Sequence, residues 1–166
     1  MSYRFILHKN RCSACAACVI GCMDKTDIPA EEQLHPLRFA KILELFQDDG
    51  ACQFEYYTLS CLHCVDAPCA TTCPSGCIHR DEETGFVLVD NSSCIGCQSC
   101  YASCPAHIPQ FRASDGKMVK CDGCIELVTA GKGPACVQSC PYGALELVRE
   151  TDYNPDEDAL PNLILY

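Results

Sequence analysis

Apolar residues occur in short stretches along this chain, separated by polar turns. YRFILHK predicts an extended lead-in strand within residues 1–11, and ALELVRE predicts a closing strand over residues 144–150. Between them, FVLVD at residues 86–90 and KMVK at residues 117–120 each follow a turn that ends in glycine. A helix is predicted over residues 122–130, before a glycine stop. The pattern as a whole predicts short hairpins and a few short helices.

A longer pair of apolar segments interrupts this pattern early in the chain. LRFAKILELF, residues 37–46, and ACQFEYYTLS, residues 51–60, flank an Asp-Asp-Gly turn. The second segment alternates as a strand does, with Cys52, Phe54 and Tyr56 on one face. We therefore predict an inserted β-hairpin in which Cys52 packs as a buried small residue, with a redox role as the alternative for Cys52. A helix over residues 37–46 is the alternative.

Composition limits what can form the core. Of the 166 residues, 48% are hydrophobic, but that share includes eighteen cysteines. The ordinary side-chain core is therefore thin, and the groups that the cysteines bind must complete it. No apolar run approaches the ~18 residues of a membrane-spanning helix, which predicts no direct membrane insertion.

Charge limits the partners of the chain. The formal net charge is −10 at pH 7. Such an anion is expected not to bind nucleic acid or an acidic lipid surface, because both are also negative. Docking partners should present basic patches, and encounter rates should fall as salt rises.

Sixteen of the eighteen cysteines form four groups of four. Three groups have the spacing C-x2-C-x2-C-x3-C or C-x2-C-x4-C-x3-C, and the fourth has a longer middle gap. In chain order the groups are Cys12/Cys15/Cys18/Cys22, Cys61/Cys64/Cys69/Cys73, Cys94/Cys97/Cys100/Cys104 and Cys121/Cys124/Cys136/Cys140. In bacterial ferredoxins, three thiolates of such a run hold one cluster and the fourth reaches a second cluster. The four groups therefore predict four 4Fe–4S clusters.

The spacing has a physical cause. Two residues between cysteines let the backbone curl around one corner of a cluster, so that consecutive thiolates reach neighbouring irons and loop amides point at sulfurs. If the chain then turns helical, the cysteine four positions after the third lies one turn further on and faces a neighbouring cluster. We therefore expect the groups to exchange ligands in pairs.

Two other uses of cysteine compete with this interpretation. The cysteine content would suit a secreted disulfide scaffold, yet the first ten residues show no secretion signal, which predicts a cytoplasmic location with reduced thiols. A structural zinc protein is the other alternative, because CxxC pairs also bind zinc. Zinc has no use for a tight C-x2-C-x2-C triplet, and the spacing therefore favours iron–sulfur clusters.

A short motif occurs twice in the chain. Residues 73–78 and residues 140–145 share the pattern C-P-x-G-small-aliphatic, and each precedes a predicted strand. Cys77 occupies the small position that Ala144 fills in the second copy, so we predict that it packs on a cluster. The first group departs from the motif, because Met23 replaces the proline and leaves the chain free to enter the insertion.

Three further side chains near the loops have two candidate roles each. His63 lies inside the second cysteine loop and is predicted to be a packing or solvated histidine; donation to a cluster sulfur is the alternative. Lys120 and Arg80 either raise the potential of a neighbouring cluster or solvate the surface. The sequence leaves both of these roles open.

The order of the groups, with an insertion after the first and a long gap in the fourth, resembles that of a known family. From about residue 3 to residue 150, the chain resembles the four-cluster iron–sulfur subunits of dimethyl sulfoxide reductase, polysulfide reductase and formate dehydrogenase type. The strongest stretches are FEYYTLSCLHCVDAPCATTCPSG, DNSSCIGCQSCYASCPA and KCDGCIELVTAGKGPACVQSCPYGAL. The chain is short for that family, and in this respect it resembles the polyferredoxin subunits of tungsten or molybdenum aldehyde oxidoreductases.

The resemblance implies four cluster sites, each taking three cysteines from one group and the fourth from another. Site 1 is Cys12, Cys15 and Cys18 with Cys140; site 2 is Cys61, Cys64 and Cys69 with Cys104; site 3 is Cys94, Cys97 and Cys100 with Cys73; site 4 is Cys121, Cys124 and Cys136 with Cys22. Because all sixteen positions are cysteine, the resemblance implies four 4Fe–4S clusters and no 3Fe–4S cluster.

The resemblance also implies the fold, an α+β duplication of the bacterial ferredoxin in which each of two modules holds two 4Fe–4S clusters. One module combines residues 1–22 with residues 105–150 and holds sites 1 and 4. The other is residues 61–104 and holds sites 2 and 3. Residues 23–60 form the inserted linker and hairpin, and residues 151–166 form a docking tail.

The expected function is electron transfer without catalysis. The sequence contains no GxGxxG motif, P-loop or other flavin, nucleotide or pterin motif. With the resemblance, this predicts a subunit that relays single electrons to or from the pterin cofactor of a multi-subunit molybdenum or tungsten oxidoreductase, with the aldehyde oxidoreductase type favoured. A stand-alone polyferredoxin, or a ferredoxin associated with a hydrogenase or formate dehydrogenase, is the first alternative, and the structural zinc protein is the remote one.

The resemblance also implies the partners. The expected partner is a large tungsten- or molybdenum-pterin catalytic subunit, and a flavin or membrane-anchor subunit is a further candidate. Self-association through the tail or the inserted hairpin is also predicted. Export of the folded chain with a signal-bearing partner is the alternative to a cytoplasmic location.

Overall fold

Eight short strands and five short helices make up the part of the chain that the structure describes, residues 2–153 of a computed structural model. The strands are β1 (Tyr3–Leu7), β2 (Phe39–Phe46), β3 (Cys52–Leu59), β4 (Ile78–Arg80), β5 (Val87–Val89), β6 (Gln110–Phe111), β7 (Met118–Val119) and β8 (Leu145–Arg149). The helices are α1 (Ala17–Thr26), α2 (Pro68–Thr71), α3 (Ser99–Ser103), α4 (Ile125–Thr129) and α5 (Ala135–Gln138). The strands pair as four two-stranded antiparallel sheets, β1–β8, β2–β3, β4–β5 and β6–β7.

These elements confirm the predicted α+β class with short hairpins and few helices. The β4–β5 and β6–β7 hairpins close around the turns that end in Gly85 and Gly116, as the sequence predicts. Both glycines adopt positive φ, which residues with a side chain rarely do. The duplication into two modules and the module boundaries stay predictions.

The two ends of the described chain meet in the β1–β8 sheet. Phe5 lies opposite Leu147, and Leu7 lies opposite Leu145. At the end of the sheet, the Arg4 guanidinium donates to the Glu150 carboxylate at 2.6 Å. The sheet therefore places the loop that follows β1 beside the segment that carries the last cysteine.

The inserted hairpin is confirmed, and the alternative of a helix over residues 37–46 is wrong. β2 and β3 pair along their full lengths, from Phe39 opposite Leu59 to Phe46 opposite Cys52. At the base of the hairpin, Leu59 is buried in the core. Toward the tip the side chains are exposed, and Phe46 is 77% exposed. The hairpin is thus anchored at one end and projects at the other.

The burial predicted for Cys52 is wrong. Cys52 is exposed because it lies at the tip of the hairpin, where neither face of the two-stranded sheet is covered by another element of the described chain. The alternation in β3 predicts which residues share a face. It does not show whether anything packs against that face.

The first helix extends into the segment for which the sequence predicts a linker. α1 continues past Cys22 and ends at Thr26. The physical reason is Met23, which can donate its backbone N–H within the helix. The proline found at the same position of the other three groups cannot.

The predicted helix over residues 122–130 is confirmed in a shorter form. α4 begins at Ile125 because Cys124 has a left-handed backbone, with φ of 52°. The helix ends before Gly131, which has φ of 74°. The gap before Cys136 also contains the start of α5, which the sequence pattern did not reveal.

Cysteines take the place of ordinary apolar side chains in the core. Cys69, Cys77 and Cys100 form one buried cluster with Ile78, Val87 and Met118. A second cluster places Cys18 and Cys136 beside residues from β1, β3 and β8. Cys77 is buried as predicted, and Ala144 is buried at the matching position of the repeat.

The C-terminal docking tail predicted over residues 151–166 falls largely outside the described residues. Within residues 2–153, no helix combines the length and apolarity needed to cross a bilayer, and the longest, α1, has 10 residues.

One glycine is required by close packing inside a cysteine loop. Gly123 has φ of 74°, and a Cβ atom built on it would lie 2.5 Å from Cδ2 of Phe86. Phe86 is fully buried, so its ring is enclosed by other side chains. Gly131 has the same φ, but no atom lies within 4 Å of its Cβ position. A comparison of substitutions at these two positions therefore distinguishes the cost of backbone strain, which both share, from the cost of a steric clash, which only Gly123 has.

We expect Gly123→Ala to lower the free energy of unfolding by about 1–3 kcal/mol more than Gly131→Ala does. Both variants carry the same backbone strain, whereas only the first forces a methyl group into Phe86. Denaturant unfolding of the anaerobically prepared protein measures both losses. Equal losses in the two variants would show that Phe86 is not a fixed neighbour of Gly123.

Candidate iron–sulfur sites

The four cysteine loops share one backbone feature. In every group, the residue two positions after the first cysteine has a left-handed conformation. These residues are Ala14 (φ 52°), His63 (φ 48°), Gly96 (φ 68°) and Gly123 (φ 74°). A left-handed residue within such a turn directs successive backbone N–H groups toward one point, which forms a concave anion site of the kind found around iron–sulfur clusters. The chain therefore repeats one loop geometry four times, at a cost in backbone strain where the residue is not glycine.

Backbone amides in and near these loops also point at cysteine sulfurs. The Gly123 N–H donates to Cys121 Sγ at 3.4 Å, and the Ala144 N–H donates to Cys140 Sγ at 3.2 Å. The Met118 N–H, from β7, donates to Cys94 Sγ at 3.5 Å. These amides are oriented to stabilise negative charge on the sulfurs.

Helices position the later cysteines of each group. The third cysteine lies within a helix in all four groups: Cys18 in α1, Cys69 in α2, Cys100 in α3 and Cys136 in α5. The fourth cysteine follows one turn later. It is within α1 for Cys22, and in the other groups it lies just past the helix end and before a proline. The helical turn thus carries the fourth thiol away from the first three.

The structure brings together the four cysteines predicted for site 1. A small cavity is lined by Cys12, Cys15, Cys18 and Cys140, and Thr58 from the hairpin closes it. Cys18 Sγ donates to the Thr58 hydroxyl at 3.4 Å. The base of the inserted hairpin therefore covers this group of thiols.

The other sites show the same exchange between groups. In each, the charge of one group's thiolate acts to raise the pKa of a thiol in the other group. The pairs are Cys140 on Cys12 in site 1, Cys104 on Cys69 in site 2, Cys73 on Cys97 in site 3, and Cys121 and Cys136 on Cys22 in site 4. The folded chain thus juxtaposes members of each implied ligand set.

The same electrostatic contacts show which sites are neighbours. In three cases a thiol of one site adds to the rise that burial causes in the pKa of a thiol of the next site. The contacts between sites are Cys18 with Cys136, Cys121 with Cys61, and Cys69 with Cys100. Packing agrees with these contacts, because Cys18, Cys136 and Cys61 belong to one hydrophobic cluster and Cys69 and Cys100 to another. Together they favour the order 1, 4, 2, 3, with sites 4 and 2 in the interior of the series.

Exposure differs between the sites. Sites 1, 2 and 3 each have an exposed cysteine, Cys15, Cys64 and Cys97 respectively. All four cysteines of site 4 are buried. Three of the sites therefore reach the surface, and the fourth is enclosed by protein.

Burial makes the free thiols hard to ionise. It raises the pKa of Cys22 to about 12 and that of Cys61 to about 11. Cys100 and Cys124 behave in the same way, each with a pKa raised by burial to about 11. A metal cation reverses this tendency, because a coordinating thiol is deprotonated outright. The donor set therefore suits a bound cation that supplies the missing positive charge.

The charged side chains that are buried among residues 2–153 are both cations. They are Arg38, which is 4% exposed, and Lys120, which is 7% exposed. Neither makes an ion pair with a carboxylate in this part of the chain. Burying an ion without a counter-charge is costly, so the interior must contain another source of negative charge. The sequence did not predict the burial of Arg38, because a residue in a strand-like segment can face solvent as readily as the core.

His63 is a packing histidine, as predicted. Its ring lies 4.8 Å from that of Phe86 between ring centroids, and Nδ1 accepts from the Val87 N–H at 3.0 Å. Burial, followed by the charge of Lys120, lowers its pKa well below the usual value, so the ring is neutral. Its Nε2 atom is buried without a hydrogen-bond partner in the described chain. Donation from Nε2 to a cluster sulfur stays the alternative role.

Two other residues from the sequence analysis have defined positions. Arg80 donates to the carbonyl oxygens of His63 and Cys64, at 3.2 and 2.8 Å, and so holds the second cysteine loop. Cys77 Sγ lies 3.4 Å from Cys73 Sγ, beside a predicted ligand of site 3.

These features fit thiolate-ligated iron–sulfur clusters. Convergent amides, unpaired buried cations and an unpartnered histidine N–H are all suited to an anionic group with acceptor sulfurs. No three His, Cys, Asp or Glu side chains between residues 2 and 153 are arranged to hold a single metal ion. A cubane separates its ligands more widely than a single ion does, because iron and sulfide lie between the thiolates.

Comparison with known proteins agrees with the resemblance. Residues 52–150 match the family described as 4Fe–4S dicluster domain. The probable anaerobic dimethyl sulfoxide reductase subunit YnfG of Escherichia coli K12 is 42% identical over 153 residues, which cover 87% of this chain and 72% of that protein. The B subunit of anaerobic dimethyl sulfoxide reductase from the same organism is 40% identical over 153 residues, with the same shares covered.

A thiosulfate reductase relative supports the same assignment. The electron transfer subunit PhsB of Salmonella typhi is 36% identical over 148 residues, which cover 89% of this chain and 76% of that protein. This chain therefore belongs to the family of ferredoxin-like 4Fe–4S electron-transfer subunits that includes these reductase subunits.

Proposed function

We propose that this chain relays single electrons, through four 4Fe–4S clusters, to or from the pterin cofactor of a larger molybdenum or tungsten oxidoreductase subunit. The observation that carries the proposal is the repeated loop, in which the residue two positions after the first cysteine is left-handed in all four groups. When bound, each cluster accepts and releases one electron at a time. The sixteen cysteines of sites 1 to 4 are the proposed ligands.

Residues of this chain would stabilise the clusters and orient their ligands. Amides of the cysteine loops stabilise the sulfurs, and helices α1, α2, α3 and α5 direct the fourth cysteine of each group toward a neighbouring site. The order of the sites in space supports a continuous path. The exposed cysteines Cys15, Cys64 and Cys97 lie where a partner's redox centre could approach a site.

The relatives bear on the class of partner. They are named for dimethyl sulfoxide reductase and thiosulfate reductase. They therefore support a complex of that type, and they do not support the aldehyde oxidoreductase type favoured from the short length of the chain. The catalytic subunit would oxidise or reduce the substrate, and this chain would not itself be catalytic.

Surface features support docking to a protein. The hairpin exposes Phe46 at its tip and Ile42 midway along β2, at 77% and 56%. Exposed apolar side chains on a small acidic protein are typical of an interaction surface. A flavin or membrane-anchor subunit, self-association and the cytoplasmic location all stay predictions.

The number of clusters can be tested by iron analysis. We expect about sixteen iron atoms per polypeptide in anaerobically prepared protein. Cys22→Ser should lose about one to four of these irons and one reducible 4Fe–4S centre, because it removes a predicted ligand of site 4. Cys52→Ser is the matched control and should keep all of the iron, since Cys52 is exposed at the hairpin tip.

Full iron and four unchanged centres in Cys22→Ser would contradict the assignment of site 4. Zinc in place of iron in colourless protein would instead support the structural zinc alternative.

The partner can be tested by purification from the native cells. A tagged chain isolated anaerobically at low salt should retain a larger subunit that contains molybdenum or tungsten, in near-equal amount. Because the chain is strongly acidic, raising the salt concentration should release that subunit. Metal analysis and native mass spectrometry measure both effects. Recovery of a fully reducible chain without such a partner would favour the stand-alone polyferredoxin.

A further inference from the structure

The interior of this acidic protein contains buried positive charge and no buried carboxylate within residues 2–153. The chain carries 22 Asp and Glu against 12 Lys and Arg. Nevertheless, the charged side chains that are buried in this part of the structure are Arg38 and Lys120. Acidic residues outnumber basic ones in the sequence, yet the buried charged side chains of the described chain are basic. A buried cation needs an anion near it, and the carboxylates lie at the surface.

Lys120 lies beside site 2. Its ammonium group donates to the carbonyl oxygen of Val87 and, at 2.9 Å, to that of Cys121. These are neutral acceptors and leave the charge uncompensated. Val87 packs in one buried cluster with Cys69, and its N–H donates to His63 of the second cysteine loop at 3.0 Å. In agreement with this geometry, burial raises the pKa of Cys61 and Cys69, and the charge of Lys120 opposes that rise. Lys120 is thus within electrostatic reach of two proposed ligands of site 2.

Arg38 has the same relation to site 4. Its guanidinium donates to the Thr58 hydroxyl at 3.3 Å and lies 5.9 Å from the centre of the Phe5 ring. Neither the hydroxyl group nor the aromatic ring carries a negative charge that could balance the guanidinium. The Arg38 guanidinium also lies within hydrogen-bonding reach of the Cys136 thiol. Burial raises the pKa of Cys136 and of Cys22, and the charge of Arg38 opposes both rises. Arg38 is therefore within reach of two proposed ligands of site 4.

We propose that Lys120 and Arg38 are the internal counter-charges of sites 2 and 4 and raise the reduction potentials of the centres bound there. The inference rests on the proposed function, because it requires clusters at these sites. Sites 2 and 4 are the two interior members of the series. Site 1 lies one step further from Arg38, because Thr58 lies between the guanidinium and Cys18 Sγ.

The effect has a definite sign. Reduction adds one negative charge to a site, and a fixed cation nearby stabilises the reduced form more than the oxidised form. Removing the cation must therefore lower the reduction potential of that site. Water screens a charge at the surface, so removal of an exposed cation should have little effect.

Two pairs of substitutions separate charge from packing. Lys120→Gln keeps a hydrogen-bond donor but removes the charge, and Lys120→Arg keeps the charge. Arg38→Gln and Arg38→Lys form the second pair. Lys132→Gln and Arg149→Gln are matched controls, because each removes the same positive charge from an exposed position. Redox titration followed by electron paramagnetic resonance measures each centre, and iron analysis measures loading.

We expect each neutral variant to lower the potential of one centre. The oxidised-to-reduced ratio at that centre should change on the order of tenfold, or about 59 mV for one electron. Lys120→Gln should move the centre that is lost in Cys61→Ser, and Arg38→Gln should move the one that is lost in Cys22→Ser. The charge-keeping variants and both controls should leave all four centres close to their original potentials.

Several results would overturn the inference. These are no shift in either neutral variant, an equal shift of all four centres, or equal shifts in the neutral and charge-keeping variants. If the neutral variants load less iron, full loading in Lys120→Arg and Arg38→Lys would support the counter-charge role, and equal loss in them would overturn it. Absence of reducible centres from the unsubstituted protein would contradict the proposed function instead.

Discussion

Sixteen thiols gathered inside a small chain create an electrostatic problem, and its solution organises the rest of the structure. Burial opposes ionisation of these groups, as the raised pKa of Cys22 shows. Iron supplies positive charge that allows the thiols to ionise, and the loaded site then becomes an anion. The interior accordingly presents amides and cations, and the carboxylates lie outside. The clusters also replace much of the apolar core that a chain of this size would otherwise need.

The electron path follows from local backbone geometry repeated four times. Each loop has a left-handed residue after its first cysteine, and each is followed by a helical turn that carries the last cysteine away. In the proposed ligand sets, the fourth ligand of each site belongs to a different group, so that every site would tie together two separate parts of the sequence. This proposed exchange of ligands would join the sites into one series, and the β1–β8 sheet brings the two ends of the described chain together.

Much of this arrangement could be predicted from particular residues. The glycine turns, the β2–β3 hairpin and the burial of Cys77 all follow from short-range patterns, and they are confirmed. Two predictions were wrong for different reasons. Cys52 is exposed because alternation along a strand says nothing about what covers it. The linker after Cys22 is partly helical because Met23 lacks the constraint that proline imposes.

Cysteine spacing by itself determined the chemistry of this protein, because two intervening residues and one helical turn fix where neighbouring thiols can point. Only the tertiary structure decided the order of the sites, the enclosure of site 4 and the burial of Arg38 and Lys120. Arg38 comes from a strand-like segment of no special composition, and Lys120 looks like an ordinary basic residue before a cysteine. Their environment depends on contacts between segments far apart in the sequence, such as Lys120 with Val87 and Arg38 with Thr58, and short-range spacing does not encode such contacts.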